Sequence, residues 1–404
     1  MEKKRKPWIQ PRHKWVTRIL ISVLGPYTSW KYGVKVEKFK EQGDRAYLIL
    51  MNHQTAFDQF FVAMAFRGAV YYLATEDLFS KGWISSVIRW LVAPIPIKKQ
   101  TTDPTAVMNC IRIARDGGTI ALAPEGNRTY SGKTEYMNPA IAAMARKMKL
   151  PIALFRIEGG YGVHPRWSDV VRKGKMRAYV SRVIEPEEYA ELTNEELFSL
   201  IEAGLYVNEA VVDGLFASSK RAEYLERAMY VCPYCGLSEF ESHGNVIECK
   251  RCNRKVEYGT DKRLSGVGFQ FPFEFVNQWY EYQSEYVCGL NLLEHTREPL
   301  YRDNAKLSEV ILNKCKVVLQ KDARISLYGD RVVIGENGDS PLVLPFEEIT
   351  AASVLGRNKL NIYHGKTVYQ FKGSKRFNAL KYVNLYFRYK NIIRGEENSK
   401  FLGL

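Results

Sequence analysis

The stretch AYLILMNHQTAFDQFFVAMAF, residues 46–66, decides the fold. Its apolar run at 47–51 predicts a short buried strand. The residues after it place aromatic and apolar side chains at helical spacing, which predicts an amphipathic helix: Phe57, Phe60, Phe61 and Met64. Between them lies His53, with Asp58 five residues later. Five helical residues turn through about 500°, so the two side chains meet only if His53 lies in the turn before the helix and Asp58 reaches back.

This histidine and aspartate have the chemistry of a general base and its orienting group. An imidazole that a carboxylate holds by one nitrogen has its other nitrogen free to take a proton. An alternative is that Thr55 and Asp58 form a capping box, in which the carboxylate only satisfies a backbone N–H. The same spacing recurs at His164 and Asp169. The proline after that second histidine argues against a strand, turn and helix there, so we discount it as a catalytic pair.

Composition sets the class of protein and of partner. The 404 residues leave room for two or three domains, and 46% hydrophobic and 13% aromatic content is typical of a folded chain. A formal net charge of +15 suits a phospholipid surface, a phosphorylated substrate or a nucleic acid. Four of the seven cysteines have metal-ligand spacing. This spacing predicts a metal site rather than a disulfide framework, and a metal site agrees with a cytoplasmic location.

The first thirty residues predict contact with a membrane. No stretch of 18 apolar residues predicts a membrane span, and Arg18 interrupts the apolar patch that follows the basic residues 3–6. Residues 12–24 predict a basic amphipathic helix, stopped by Gly25 and Pro26. Its apolar face has Trp15, Val16, Ile19, Leu20 and Val23. We expect it to lie in the cytoplasmic interface of an anionic membrane. The alternative is an ordinary helix packed on its domain.

Two loops carry groups suited to a phosphorylated or polyol ligand. The segment after a predicted helix at 78–91 ends in Lys98 and Lys99, which either grip a phosphate or form a solvated basic turn. A helix at 105–116 and a strand at 119–123 lead into a second, glycine-containing loop. In that loop Arg128 offers a bidentate fork to a phosphate, and Glu125 accepts hydrogen bonds from a polyol or pairs with a cation.

These motifs together resemble the four sequence blocks of the glycerolipid acyltransferase superfamily, and bacterial 1-acylglycerol-3-phosphate (lysophosphatidate) acyltransferases most of all. The resemblance covers roughly residues 30–215. It rests on four blocks, which occur in the family's order: Asn52-His53-x4-Asp58, Pro94-Ile-Pro-Ile-Lys98-Lys99, Pro124-Glu125-Gly126-Asn127-Arg128 and Leu150-Pro151-Ile152. It implies an α/β domain with a mixed sheet flanked by helices.

The resemblance also implies roles for individual residues. His53 would be the base and Asp58 its orienting carboxylate. The acceptor-binding block would be Glu125, Gly126, Asn127 and Arg128, with Arg128 on the glycerol phosphate. The family's second block usually ends in an acidic residue and arginine, where this chain has Lys98 and Lys99, and Asn127 replaces the commoner threonine. Lysine is a point charge, whereas arginine offers two parallel hydrogen bonds. The two lysines therefore predict phosphate binding but define the identity of the acceptor less well.

The reaction that the resemblance implies is direct acyl transfer from acyl-coenzyme A or acyl-carrier protein to a lysophospholipid hydroxyl, without a redox cofactor. No GxSxG elbow occurs, and no cysteine and histidine block surrounds Cys110, so nothing requires an acyl-enzyme. The N–H groups at the start of the helix after His53 are expected to support developing negative charge or a phosphate. A second enzyme reading changes the acceptor to another lysophospholipid or an amino-lipid alcohol.

The rest of the chain predicts smaller modules. Two CxxC pairs separated by 13 residues predict a structural zinc ribbon: Cys232, Cys235, Cys249 and Cys252. Two disulfides are the alternative. Cys110, Cys288 and Cys315 are expected to be core residues. The aromatic-rich segment 269–289 predicts a helix after Pro272 that bridges domains or touches lipid, and bridging is the favoured interpretation. Short strands from about residue 323 and a helix from near Ser374 resemble a pleckstrin-homology-like (PH-like) or GRAM-type module.

The sequence predicts five divisions. They are a tail and interfacial helix at 1–30, an acyltransferase domain at 31–218, a zinc ribbon at 228–258, an aromatic-rich connector at 259–318 and a PH-like β domain at 319–395. Two non-enzyme readings remain. A nucleic-acid-binding protein would use the ribbon and the charge, but the basic residues are widely spread and the ordered blocks would be unexplained. A catalytically silent lipid-binding scaffold would not need His53 and Asp58.

Overall fold

The computed structural model describes residues 7–80, 82–97, 103–311, 316–336, 338, 340–396 and 398–403. The chain divides into two units. The first comprises Met1–Pro165 and Lys173–Gly214, and the second comprises Arg166–Arg172 and Leu215–Leu404. No helix within the described ranges is both long enough and apolar enough to cross a membrane.

A mixed sheet forms the centre of the first unit. Its described strands are β1 Val34–Val36, β2 Leu48–Met51, β3 Val70–Thr75, β4 Ile95–Ile97, β5 Thr119–Leu122, β6 Ile152–Glu158 and β7 Met176–Ile184. Their order is β1-β7-β6-β2-β5-β3-β4, and every neighbouring pair is parallel except β6 and β7. The strand predicted from the apolar run at 47–51 is the central β2, and all four of its residues are buried.

Helices cover this sheet: α1 Pro11–Tyr32, α2 Asp58–Ala65, α3 Trp83–Val92, α4 Pro104–Arg115, α5 Ala140–Met148, α6 Gly160–Val163, α7 Pro186–Ala190 and α8 Asn194–Leu205. One apolar core joins β2, β5 and β6 to α4, α5 and α8 through buried side chains that include Leu48, Ile120, Leu154, Ile113, Ala142 and Ile201. Because β2 and β5 are parallel neighbours, the loops that follow them leave the same edge of the sheet.

The prediction that Gly25 and Pro26 stop the first helix is wrong, because α1 continues to Tyr32. Proline lacks the N–H that would bond to the carbonyl four residues earlier, at a cost of about 3 kcal/mol. Tertiary packing outweighs this local penalty. The ring of Tyr32 is buried and lies 5.2 Å from that of Phe57 and 6.0 Å from that of Phe61. The helix then ends at Gly33, which has a positive φ of 59°.

The helix predicted at 78–91 is shorter in the structure. A 3₁₀ turn at Glu76–Phe79 comes first, and α3 begins at Trp83. The helix predicted at 105–116 is α4, which begins behind the aspartate cap Asp103, whose side chain accepts a hydrogen bond from Ala106 N.

The second unit is largely antiparallel. Small strands come first: β8 Val231–Cys232, β9 Gly236–Leu237, β10 Phe240–His243, β11 Val246–Cys249, β12 Lys255–Tyr258 and β13 Leu264–Gly266. After α9 Val276–Cys288 comes a sheet of β14 Tyr301–Glu309, β15 Val317–Leu327, β16 Arg331–Ile334, β17 Leu342–Pro345, β18 Ile349–Leu355, β19 Lys359–His364 and β20 Thr367–Gly373. Its order is β17-β16-β15-β14-β20-β19-β18, and α10 Leu380–Ile393 follows.

Two boundaries and one strand in this unit differ from the predictions. The sheet begins with β14, inside the segment predicted as a connector, and β18 was not predicted. The final helix begins at Leu380 rather than near Ser374. Its start is set by Asn378, whose Oδ1 accepts hydrogen bonds from the N–H groups of Leu380 and Lys381 at 2.8 and 3.1 Å.

Candidate active site

His53 and Asp58 meet at the carboxyl end of β2. His53 lies in the turn after the strand, and Asp58 is the first residue of α2. Asp58 Oδ2 lies 2.7 Å from His53 Nδ1. The carboxylate is fully buried, whereas 24% of the histidine side chain is exposed. The predicted geometry is confirmed: the histidine precedes the helix and the aspartate reaches back to it.

The Asp58 carboxylate also holds the backbone of the turn. It accepts hydrogen bonds from Gln54 N at 2.7 Å, from Thr55 N at 2.9 and 3.0 Å and from Thr55 Oγ1 at 2.6 Å. The capping-box alternative is therefore half right: the carboxylate does satisfy backbone N–H groups, but these precede α2, whose N-cap residue is Phe57. One side chain thus fixes both the path of the turn and the orientation of the imidazole.

Glu125, in the loop after the neighbouring strand β5, holds the same turn. Its Oε1 accepts a hydrogen bond from His53 N at 3.0 Å, and its Oε2 accepts one from Glu135 N at 3.3 Å. Burial raises the pKa of Glu125 to about 8, against the two backbone hydrogen bonds, which lower it; the charges of Glu135 and Asp58 raise it further. A carboxyl group in this position holds the backbone of the histidine in place. The sequence suggested a different role for Glu125, which was to accept hydrogen bonds from a polyol or to pair with a cation.

Asn52 joins the turn that contains His53 to β6. Its Oδ1 accepts a hydrogen bond from Ile157 N at 2.8 Å, and its Nδ2 donates one to Ile157 O at 2.9 Å. The residue was part of the recognised block, but the sequence suggested no role for it. A buried asparagine at the end of a strand is the signal that would have indicated such a bond.

The remaining predicted ligands lie on the loop after β5. Gly126 has a positive φ of 66°, and Asn127 is buried. Arg128 is half-buried and lies next to Thr129, whose N–H donates to His53 O at 3.4 Å. The sequence did not single out Glu135, whose Oε1 accepts hydrogen bonds from the hydroxyls of Thr129 and Ser131. Lys98 and Lys99 lie outside the described residues.

The second histidine and aspartate at this spacing do not form a catalytic pair. His164 is buried, and its Nδ1 lies 3.3 Å from the hydroxyl of Tyr32. Asp169 accepts hydrogen bonds from Arg227 and Arg357, both at 2.8 Å. Each member is thus occupied by a partner of its own.

Four cysteines in the second unit form a cluster suited to a metal ion. The sulfur atoms of Cys232, Cys235, Cys249 and Cys252 all lie within 4.8 Å of one another. A tetrahedral zinc ion with bonds of about 2.3 Å places its sulfurs about 3.8 Å apart. The Sγ atoms of Cys232 and Cys252 are 3.9 Å apart, which fits this spacing. Of the other cysteines, Cys110 is buried as expected, Cys288 is half-buried, and Cys315 lies outside the described residues.

Comparisons with known proteins find a family match within the first unit. Residues 33–157 match the family model described as Acyltransferase. No curated protein matches the chain in sequence. Among solved structures, the chain is similar to the 1-acyl-sn-glycerophosphate (LPA) acyltransferase PlsC from Thermotoga maritima, with 20% identity, coverage of 48% of this chain and 78% of that chain, and a TM-score of 0.41. The family match confirms the predicted acyltransferase domain within residues 33–157.

Proposed function

We propose that the chain transfers a fatty acyl group from an acyl thioester to the free hydroxyl of lysophosphatidate. One observation carries this proposal: the 2.7 Å contact between His53 Nδ1 and a buried Asp58 carboxylate, beside a half-buried arginine loop in an acyltransferase domain. Since Nδ1 donates to the carboxylate, Nε2 is the nitrogen that can accept a proton.

The proposed reaction is direct transfer. His53 Nε2 takes the proton of the acceptor hydroxyl while that oxygen attacks the thioester carbonyl carbon. The carbon–sulfur bond then breaks, and the imidazolium returns its proton to the leaving thiolate. A well-placed base contributes about 10² to 10⁴ in rate. Asp58 stabilises the imidazolium that forms, and Glu125 keeps the backbone of His53 in place.

Arg128 is proposed to bind the phosphate of the acceptor, because a guanidinium matches phosphate oxygens with two parallel hydrogen bonds. Lys98 and Lys99 are proposed to add positive charge at the same group. The thioester donor is proposed to be acyl-coenzyme A or acyl-carrier protein. The assay below presents both donors and several acceptors, including other lysophospholipids and an amino-lipid alcohol.

The proposed location is the cytoplasmic face of a membrane, reached through α1. This helix exposes a stripe of apolar side chains at helical spacing: Trp15, Ile19, Val23, Tyr27 and Trp30, the last 79% exposed. Tryptophan and tyrosine prefer the headgroup region of a bilayer. Because lysophosphatidate is an amphiphile, an enzyme held at the interface meets it where it is concentrated.

The second unit is proposed to hold one structural zinc ion on its four clustered cysteines. Four thiolates fill a tetrahedral shell and leave no open position for chemistry. The C-terminal sheet is proposed to be a PH-like module, supported by its antiparallel strand order and by the single helix α10 that follows it.

An acyl-transfer assay with the purified chain tests the proposal. Lysophosphatidate is expected to be the preferred acceptor in a panel of lyso-acceptors, each offered with both thioester donors. His53→Ala is expected to lower kcat by at least about 10²-fold. His243→Ala is the matched control, because His243 is exposed and also lies beside a carboxylate, Glu241. Turnover by His53→Ala close to that of the wild type would refute the proposed base.

A further inference from the structure

Helix α3 exposes a large apolar surface that the proposed chemistry does not use. Trp83 is 75% exposed and Trp90 is 57% exposed, and Ile84 and Val87 are exposed as well. At about 100° per residue these four side chains fall within a sector of about 120° around the helix axis. The opposite side of α3 carries its buried residue, Ser85. The exposed residues therefore form one apolar face rather than scattered positions.

This face is continuous with the exposed stripe of α1. Arg12 Nε donates to Trp90 O at 3.0 Å, and the guanidinium of Arg12 lies 5.1 Å from the centre of the Trp90 ring. On α1, Arg12 lies within about 60° of every residue of the stripe, at about 100° per residue. Trp8 Nε1 also donates to Ala93 O, just beyond the end of α3. The two helices are thus joined at the edge where their apolar faces meet.

The charged residues of the two helices have a single sign. Helix α1 contains Arg12, Lys14, Arg18 and Lys31, and helix α3 contains Arg89; neither helix contains an acidic residue. Lys14 and Arg18 lie beside Trp15 and Ile19 on the exposed surface of α1. Cations interleaved with tryptophan and aliphatic side chains suit a surface that is apolar below and negatively charged at its rim.

We infer that α3 and α1 together form a two-helix docking surface for an anionic phospholipid membrane, with α3 as an essential second element. This inference extends the proposed function, because the acceptor would be drawn from the surface on which the enzyme sits. A second copy of the chain fits the same face less well. In a twofold dimer each patch would meet its own like charges, and like-charge contacts cost several kcal/mol.

Vesicle binding by the full chain tests the inference. The probe is a vesicle of phosphatidylcholine with about one-third phosphatidylglycerol, compared with pure phosphatidylcholine. Trp83→Glu and Val87→Glu are each expected to lower the partition coefficient roughly tenfold to a hundredfold, because burying a large apolar side chain contributes about 1.5 to 3 kcal/mol. Val23→Glu on α1 is expected to act similarly. Val343→Glu, on β17 and also exposed, is the matched control and is expected to bind like the wild type.

Three results would overturn the inference. The first is wild-type binding by the α3 variants when Val23→Glu has lost it. The second is a wild-type chain that does not bind the anionic vesicles. The third is a stable dimer, seen by light scattering, that the α3 variants dissociate. Acyl transfer separates this test from the proposed function: the α3 variants are expected to retain wild-type turnover on a short-chain, monomeric acceptor and to lose it on vesicle-bound acceptor. Failure of the wild type with every acceptor would refute the reaction but leave the vesicle result standing.

Discussion

Replacing Asp58 with asparagine tests whether the buried carboxylate orients and stabilises the catalytic imidazole. The side chain keeps its size, so the change removes charge and one acceptor without opening a cavity. If the amide oxygen takes the place of Oδ2, it still accepts from His53 Nδ1, Gln54 N and Thr55 N. The amide nitrogen then takes the place of Oδ1, 2.9 Å from the donor Thr55 N.

The alternative orientation is worse. The amide nitrogen would then face His53 Nδ1 and Gln54 N, which both donate in the wild type. His53 relieves that conflict only by moving its proton to Nε2, and a protonated Nε2 is no base. The first orientation removes the negative charge that stabilises the imidazolium, and the second removes the base. Both therefore lower kcat, and we expect a loss of about 10² to 10⁴. A buried donor left without a partner costs about 1 to 3 kcal/mol, so the free energy of unfolding should fall by a similar amount.

Steady-state kinetics at saturating donor and acceptor measures the loss in kcat, and urea unfolding measures the loss in stability. Asp213→Asn is the matched control, because Asp213 belongs to the same unit and is exposed. A folded Asp58→Asn variant with kcat within about threefold of the wild type would refute the reasoning, since positioned proton transfer contributes far more than that.

Three further predictions concern stability and metal content. Burial raises the pKa of Glu125 to about 8 from its ordinary 4.5, so the folded state favours the neutral carboxyl group. The contribution of this group to the free energy of unfolding is therefore fully present below pH 4.5 and is lost as pH rises towards 8. In Glu125→Gln this pH dependence should be weaker in urea unfolding between pH 5 and 8.5; an unchanged slope would contradict the assignment. The wild type should hold about one equivalent of zinc by elemental analysis, which Cys249→Ser loses and the control Cys288→Ser keeps; a folded, metal-free wild type would count against the ribbon. Gly33→Ala should destabilise the chain by more than the backbone cost of about 1 to 2 kcal/mol for a left-handed alanine, because a Cβ at Gly33 would also overlap Gly174 O; a loss no larger than that backbone cost would show that the overlap is relieved.

The contact between the proposed catalytic residues could be predicted because its geometry is local. His53 and Asp58 are five residues apart, and helix geometry alone requires the histidine to precede the helix. The family resemblance then indicated which of the two similar spacings mattered. The contacts through which Glu125 and Asn52 hold the turn around His53 in place are not local in sequence. Glu125 reaches His53 across 72 residues and Asn52 reaches Ile157 across 105, and both contacts depend on which strands are neighbours.

Local signals failed where packing opposed them. Gly25 and Pro26 are strong stop signals, but α1 continues because Tyr32 is buried against Phe57 and Phe61. In the second unit, the sequence pattern of β14 does not predict a strand. Its buried positions include the small Ala305 and the polar Ser308 among charged residues, so its apolar alternation is weak.

The hydrogen bonds of the catalytic turn also limit how the oxyanion can be stabilised. The N–H of His53 is bonded to Glu125, and those of Gln54 and Thr55 are bonded to Asp58. The N–H of Phe57 is bonded to Thr55 Oγ1. These four donors hold the turn and are not available to the substrate. The expectation that the N–H groups at the start of the helix after His53 support developing negative charge therefore rests on the first two residues of α2, because the N–H of the third, Phe60, donates to Phe57 O at 2.8 Å. In the proposed reaction the turn and the start of α2 are then expected to have separate roles: the turn orients the base, and the helix start stabilises the negative charge that develops on the thioester oxygen.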